Sequence, residues 1–264
     1  MKRRWRRPDV RAVLFLCLWA AGLSVCLVLT GLNVGAATAE QMLLSLLGGL
    51  YMDGFPSLLL VVTYNLIILS QLFLFGALMP RTVDTAAVVL FTRSYGRIRW
   101  FFTQSGAVLA RSLVFSLLLA AGLTLGAAAV GAPVQNWGTF AALLLTLVPT
   151  AWLGNAAFLL LANVIGLRCG PARALLLVWI LYMPGQILAG LSQGADLWIK
   201  LYPAAQTVLP LHEVPPALTE VIDSFFSRAV SGFTPLFSLV YNTALIALTL
   251  IVGRALMRKQ DFSL

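Results

Sequence analysis

AVLFLCLWAAGLSVCLVLTGL, residues Ala12 to Leu32, is 21 residues long, carries no charge and is interrupted only by the hydroxyls of Ser24 and Thr30. As an α-helix such a run is about 31 Å long, the thickness of a bilayer's hydrocarbon core. A basic leader, MKRRWRRPDVR, precedes it, and Ala37-Thr38-Ala39 follows in the manner of a cleavage site. That arrangement resembles a secretory signal, but the apolar run exceeds the roughly 7 to 15 residues of a signal core. The expectation is a retained membrane anchor, and with it a membrane fold for the chain.

Working outward, the composition agrees. Of 264 residues, 60% are hydrophobic and 10% charged, a balance that suits lipid rather than water as the surrounding solvent. Five further runs are long enough to cross, near Ser57–Met79, Gly106–Gly131, Gly138–Ile165, Ala174–Gly194 and Phe233–Met257. The fold class expected is an all-α membrane protein of six transmembrane helices in one domain, 1–264. Residues 1–10 form a basic leader, 80–105 an inner connection and 195–232 an outer one. Cys17, Cys26 and Cys169 imply no disulfide framework.

Orientation follows from charge. Alternate connections place 16 of the 18 basic residues on one side, leaving Lys200 and Arg228 on the other, while six of the nine acids lie with that pair. By the positive-inside rule both termini are cytoplasmic. The net charge of +9 is accounted for by orientation and contact with anionic membrane lipid, and no nucleic-acid partner is expected.

Three connections have content. The inner stretch Asp84–Gln104, DTAAVVLFTRSYGRIRWFFTQ, would as one helix over 91–104 place Phe91, Tyr95, Ile98 and Phe102 on one face and Arg93, Arg97 and Gln104 opposite. Gly96 weakens that helix by about 1 kcal/mol, which allows a break there. The outer stretch Asn33–Pro56 holds a capping box, Thr38-Ala39-Glu40-Gln41, and then Leu43, Leu46, Leu47 and Leu50, which predict a short helix lying at the outer surface. The outer stretch Ala195–Gly232 is too long for a plain hairpin, and Pro203, Pro210 and Pro215-Pro216 predict a bent or re-entrant structure followed by a helix from Pro216.

No Asp, Glu, Lys or His lies deep in any of the six runs, so the buried acids on which proton- or sodium-coupled carriers rely are missing. The neutral polar residues there are Asn65, Gln71, Asn155, Asn163, Gln186 and Asn242, together with Ser and Thr. Interhelical hydrogen bonding is their plain use. A substrate path is the sharper one, and Asn155 and Gln186, near the prolines Pro149 and Pro184, head that group, with Asn65 and Asn242. His212, the only histidine, is expected as a solvated loop residue beside Glu213, so no multi-histidine metal site is expected. No catalytic residue, metal ligand or glycine-rich nucleotide loop emerges. The chain is not expected to be an enzyme.

The layout resembles the permease subunits of type-2 ABC exporters, including the small bacterial ones of antibiotic, bacteriocin or lantibiotic efflux and immunity. The likeness covers the whole chain: leader, six spans, an inner segment between spans two and three, and a long bent outer segment before span six. In sequence it rests on DTAAVVLFTRSYGRIRWFF, where Asp84, Thr85, Arg93, Arg97, Arg99 and Trp100 match an acidic-Thr entry, a short coupling helix and a basic step into span three. The usual Gly before the Thr is absent, and Gln104 stands where a basic residue often opens span three. The resemblance implies an ATPase-coupling surface formed by these residues with Phe91 and Tyr95. It also implies partnership with cytoplasmic ABC ATPase subunits that bind ATP and Mg, a second permease copy or paralogue, and location in the bacterial cytoplasmic membrane. The implied substrate is an amphipathic peptide, antibiotic or lipid-like molecule. The other class that the sequence admits is a non-transporting membrane scaffold or immunity protein that binds a partner or toxin through 195–232. A membrane-embedded enzyme would need clustered acids or histidines on facing helices.

Overall fold

The computed structural model describes the backbone of residues 10–33, 35–48, 55–92, 96–191, 196–223 and 229–259, and the side chains of 13–33, 35–48, 62–85, 96–183, 196–222 and 229–258. Among the described residues there are ten α-helices and no strand: α1 Val10–Asn33, α2 Ala39–Leu47, α3 Phe55–Phe75, α4 Leu78–Thr92, α5 Arg97–Ala129, α6 Trp137–Cys169, α7 Pro171–Leu191, α8 Asp196–Leu201, α9 Pro216–Asp223 and α10 Pro235–Lys259. Five stretches are long and apolar enough to cross a membrane, Val13–Asn33, Val62–Thr85, Arg97–Ala129, Trp137–Cys169 and Pro235–Arg258. α7 contributes a shorter apolar stretch, Pro171–Met183, within the described side chains. The fold is therefore all-helical with five candidate spans where the sequence suggests six.

The long helices form a bundle centred on α6, which packs against α5, α7 and α10. Close approach is set by glycine. A Cβ at Gly122 or Gly126 on α5 would collide with Ser24 or Val28 on α1, and one at Gly253 on α10 would strike Phe101 on α5. Small residues at such crossings let dispersion act over a larger contact area, which matters where lipid removes the hydrophobic drive between helices. The link from α6 to α7 is a single residue, Gly170. Its φ of +83° suits glycine, and Pro171 opens the next helix without losing a needed N–H. The two helices are thus joined by a tight turn.

Of two connections with predicted structure, the first departs from expectation and the second agrees with it. α2 forms with its capping box, since the Gln41 N–H donates to Thr38 Oγ1 at 3.2 Å and the Ala37 N–H to Gln41 Oε1 at 3.0 Å. It does not lie at the surface, however. Every residue from Ala39 to Leu47 except Gln41 is buried, and Met42 packs on Gly31 of α1. The stripe Leu43, Leu46 and Leu47 gave the direction of one buried face, but the opposite face is covered as well.

The second is 196–223, which bends as its prolines require: α8, 3₁₀ turns at Pro203–Thr207 and Leu209–Leu211, then α9. Both turns are buried, and the segment folds back into the bundle. The Tyr64 hydroxyl of α3 donates to the Thr207 carbonyl, the Tyr202 hydroxyl to the Leu181 carbonyl of α7, and the Leu209 N–H to the Gly48 carbonyl. Protein thus covers non-helical backbone that lipid could not satisfy.

Candidate functional site

At one end of the bundle the ends of α3, α6 and α10 meet the starts of α4, α5 and α7. This end carries Arg81, Arg97, Arg99, Arg168, Arg173, Arg254 and Arg258. α3 and α4 are separated by a break at Gly76-Ala77, and Asn163 of α6 bridges it. Its amide nitrogen donates to the carbonyls of Phe75 and Leu159, and its Oδ1 accepts the Met79 N–H, each at 2.8 Å. Pro80 stands in the first turn of α4, where it needs no amide donor, and packs on Gly166. α4 leaves this point with Arg81, Asp84 and Thr85 exposed.

The single helix over 91–104 does not form. Gly96 is non-helical, with φ −55° and ψ 122°, and is the N-cap of α5. Phe91 belongs to α4, while Ile98 and Phe102 belong to α5. On α5, Phe102 is 44% exposed, and the buried rings are those of Trp100 and Phe101. A stripe counted across a break loses its register. Arg97 is half-buried and Arg99 exposed. Arg93, Tyr95 and the side chain of Phe91 lie outside the described residues.

The second group lies toward the other end of the bundle, and it brings together two of the neutral polar residues that the sequence singles out, Asn155 and Asn242. The Tyr182 hydroxyl of α7 donates to Asn155 Oδ1 at 3.3 Å, and the Tyr182 ring meets Phe158 edge-on at 4.9 Å. Beside Asn155, Gly154 leaves room for Thr207 and Asn242. A Cβ there would lie 3.5 Å from Asn242 Nδ2 and collide with the Thr207 methyl. Asn242 of α10 is 1% exposed, and neither its amide nitrogen nor its oxygen has a hydrogen-bond partner. Asn65 is buried on α3 next to Tyr64, and the side chain of Gln186 lies outside the described residues. Gln71 has a structural use, since it accepts from Ser112 of α5 at 2.8 Å. A buried amide left without partners costs about 1 to 3 kcal/mol, so Asn242 marks where the interior has polar capacity to spare.

His212 requires a correction. It is 1% exposed rather than solvated, and it stacks on Phe233 with ring centroids 4.0 Å apart. Its Nδ1 lies 2.9 Å from the Val208 carbonyl and its Nε2 2.6 Å from Ser238 Oγ. The Ser238 hydroxyl donates to Gln206 Oε1 at 2.7 Å, and the Gln206 amide donates to the carbonyls of Lys200 and Tyr202. Counting hydrogens, these contacts are all satisfied together only if both ring nitrogens carry one. Burial opposes that state and pushes the His212 pKa down to about 4, against hydrogen bonding that acts in the opposite direction. The neutral ring therefore prevails near neutrality, and one contact of the chain lacks its hydrogen.

Tyr64, Tyr182, Gln206, Thr207 and Ser238 complete this polar interior without having stood out in the sequence. The one available signal was WIKLYPAAQTVLPLHEVPP, where apolar residues flank each polar one in the manner of a packed segment. Among the described residues, no three His, Cys, Asp or Glu side chains converge to hold a metal. No family model, curated protein sequence or solved structure matches this chain.

Proposed function

We propose that the chain is the membrane-spanning permease subunit of an ATP-driven exporter, with six spans, both termini cytoplasmic and the arginine-bearing end facing the cytoplasm. The observation that carries this reading is the corner between α4 and α5. α5 has 33 residues, about 50 Å of helix against the roughly 30 Å of a hydrocarbon core. Its first turns can therefore stand in water with Arg97 and Arg99, opposite the exposed Asp84 and Thr85 of α4. Trp100 and Phe101 root this projection in the bundle, and Phe101 packs on α10. A push on the corner is thus passed to the spans. With no Asp, Glu, Lys or His deep in any apolar run, the driving force is supplied from outside the chain, by ATPase subunits docked at the corner. The substrate is amphipathic, such as a peptide, an antibiotic or a lipid-like molecule, and its path passes the amides of Asn155 and Asn242.

The test is purification from native membranes. The tagged chain is expected to bring down, in stoichiometric amount, a polypeptide with magnesium-dependent ATPase activity. Arg97→Glu combined with Arg99→Glu should release it while the chain remains inserted and folded. An ATPase still bound and coupled in the double variant, or no ATPase with the wild-type chain, would overturn the reading.

A further inference from the structure

At the end of the bundle opposite the arginines, three separate pieces of chain enclose a polar cavity of about 290 Å³: the start of α2, the α5–α6 connection and α9. Glu40 and Glu220 line it, with the amides of Gln41 and Gln135 and the hydroxyls of Thr38 and Thr139. Among the described residues, no basic side chain lines it. Glu40 is 1% exposed. Its Oε1 accepts the Asn136 N–H at 3.0 Å, but Oε2 is buried and meets no donor. A buried carboxylate oxygen without a donor is costly unless a cation compensates it. Glu40 also stands in the first turn of α2, where the free N–H groups of the helix favour negative charge.

We propose that this cavity binds a hydrated divalent cation, calcium in preference to magnesium, and that the ion ties α2, the α5–α6 connection and α9 to one another. The donors are all hard oxygens, two of them carboxylates, contributed from irregularly placed segments. Calcium tolerates such a shell, whereas magnesium demands a near-octahedral one. The volume amounts to roughly ten waters at about 30 Å³ each, so the ion keeps part of its hydration. With few charged ligands its affinity falls in the weak class, with a dissociation constant of about 10⁻⁴ to 10⁻³ M.

The experiment is thermal unfolding of the full chain in phosphatidylcholine nanodiscs, which lack anionic headgroups, titrated with about 0.1 to 10 mM calcium chloride. Magnesium, sodium and methylammonium chlorides at matched ionic strength run alongside. The midpoint should rise with calcium, saturate in that range and rise less with magnesium. Glu220→Gln, on the exposed face of α9, should weaken the response roughly 10-fold or more, and Glu40→Gln should abolish it. Should Glu40→Gln fail to fold, Glu220→Gln decides alone. No shift with calcium, or a shift unchanged in Glu220→Gln, would overturn the proposal. So would a larger response to methylammonium than to calcium, which would mark a site for organic cations.

Discussion

The two ends of this bundle handle polar side chains in opposite ways. At the corner between α4 and α5, Arg81, Asp84, Thr85 and Arg99 are exposed, while the buried groups are the rings of Trp100 and Phe101. At the other end Gln206, Thr207, His212, Ser238 and Asn242 are all buried, and the exposed groups include Trp198 and Leu197. The charged corner can exchange partners with water at little cost. The neutral polar interior cannot, because each group there has to find its partner within the protein. Ionic attraction to a partner is thus available at the first end, and tight constraint of the fold at the second. Substitutions at the second should accordingly disturb the fold more.

The largest effect is expected where the contrast is sharpest. Gly154→Val drives a side chain into Thr207 and against Asn242, at the point where 203–207 enters the bundle. Overpacking of this kind should cost about 3 kcal/mol, read as loss of stability in denaturant unfolding of the protein in mixed micelles. Gly106→Ala is the control, since a Cβ at that helical, exposed position meets nothing within 4 Å. It should leave stability unchanged or raise it by up to about 1 kcal/mol. Equal effects from the two substitutions would break the comparison.

Next comes acid. His212 in the folded protein holds its pKa near 4, below its ordinary value of 6.5. Between these values the unfolded chain binds a proton that the folded chain refuses. The stability associated with the neutral ring is therefore complete above about pH 6.5, falls as pH drops toward 4 and levels off below that. Over the whole window the loss amounts to about 3 kcal/mol at most. Lys200, Glu213 and Glu220 lie in the same segment, 196–223, Lys200 half-buried and the two acids exposed, so the His212 contribution is isolated by His212→Gln, which should flatten the unfolding midpoint between pH 6.5 and 4. A slope that persists in the variant would assign the acid response to other groups.

The elements that were legible in the sequence share a physical cause. An apolar run of about 20 residues has one outcome in lipid, so α1, α6 and α10 begin and end within a few residues of their expected limits. The capping box of α2 was legible because a Thr three residues before a Gln satisfies local backbone donors whatever surrounds it. What periodicity cannot convey is depth. The leucines of α2 pointed to one buried face, and tertiary contact buried the other. The stripe 91–104 failed because the chain is non-helical at Gly96, beyond which the count of residues per turn starts afresh. His212 was misplaced because a lone polar residue among prolines belongs to no period, and its burial depends on Phe233 and Ser238, more than twenty residues further along. Of the candidate site, Asn155 and Asn242 were named from sequence. That Thr207 and Asn242 meet at Gly154, beside Asn155, came only with the fold.

The smallest effect is expected at the charged end, where Asn163→Leu tests the α3–α4 break. The substitution keeps most of the side-chain volume and removes three hydrogen bonds, two of which hold the backbone across the α3–α4 break. In water an orphaned pair of this kind would cost about 1 to 3 kcal/mol. Within a membrane protein the cost is nearer 1 kcal/mol, because the reference state in lipid finds other partners. Pro80 against Gly166 would still hold the start of α4 to α6. The expected result is a modest loss of stability, below that of Gly154→Val, together with a loosened α4, seen as faster modification of a cysteine placed at Thr85. A loss as large as that of Gly154→Val would place as much constraint at the charged end as at the neutral one. Unchanged labelling at Thr85 would show that packing alone fixes the direction in which α4 leaves the bundle.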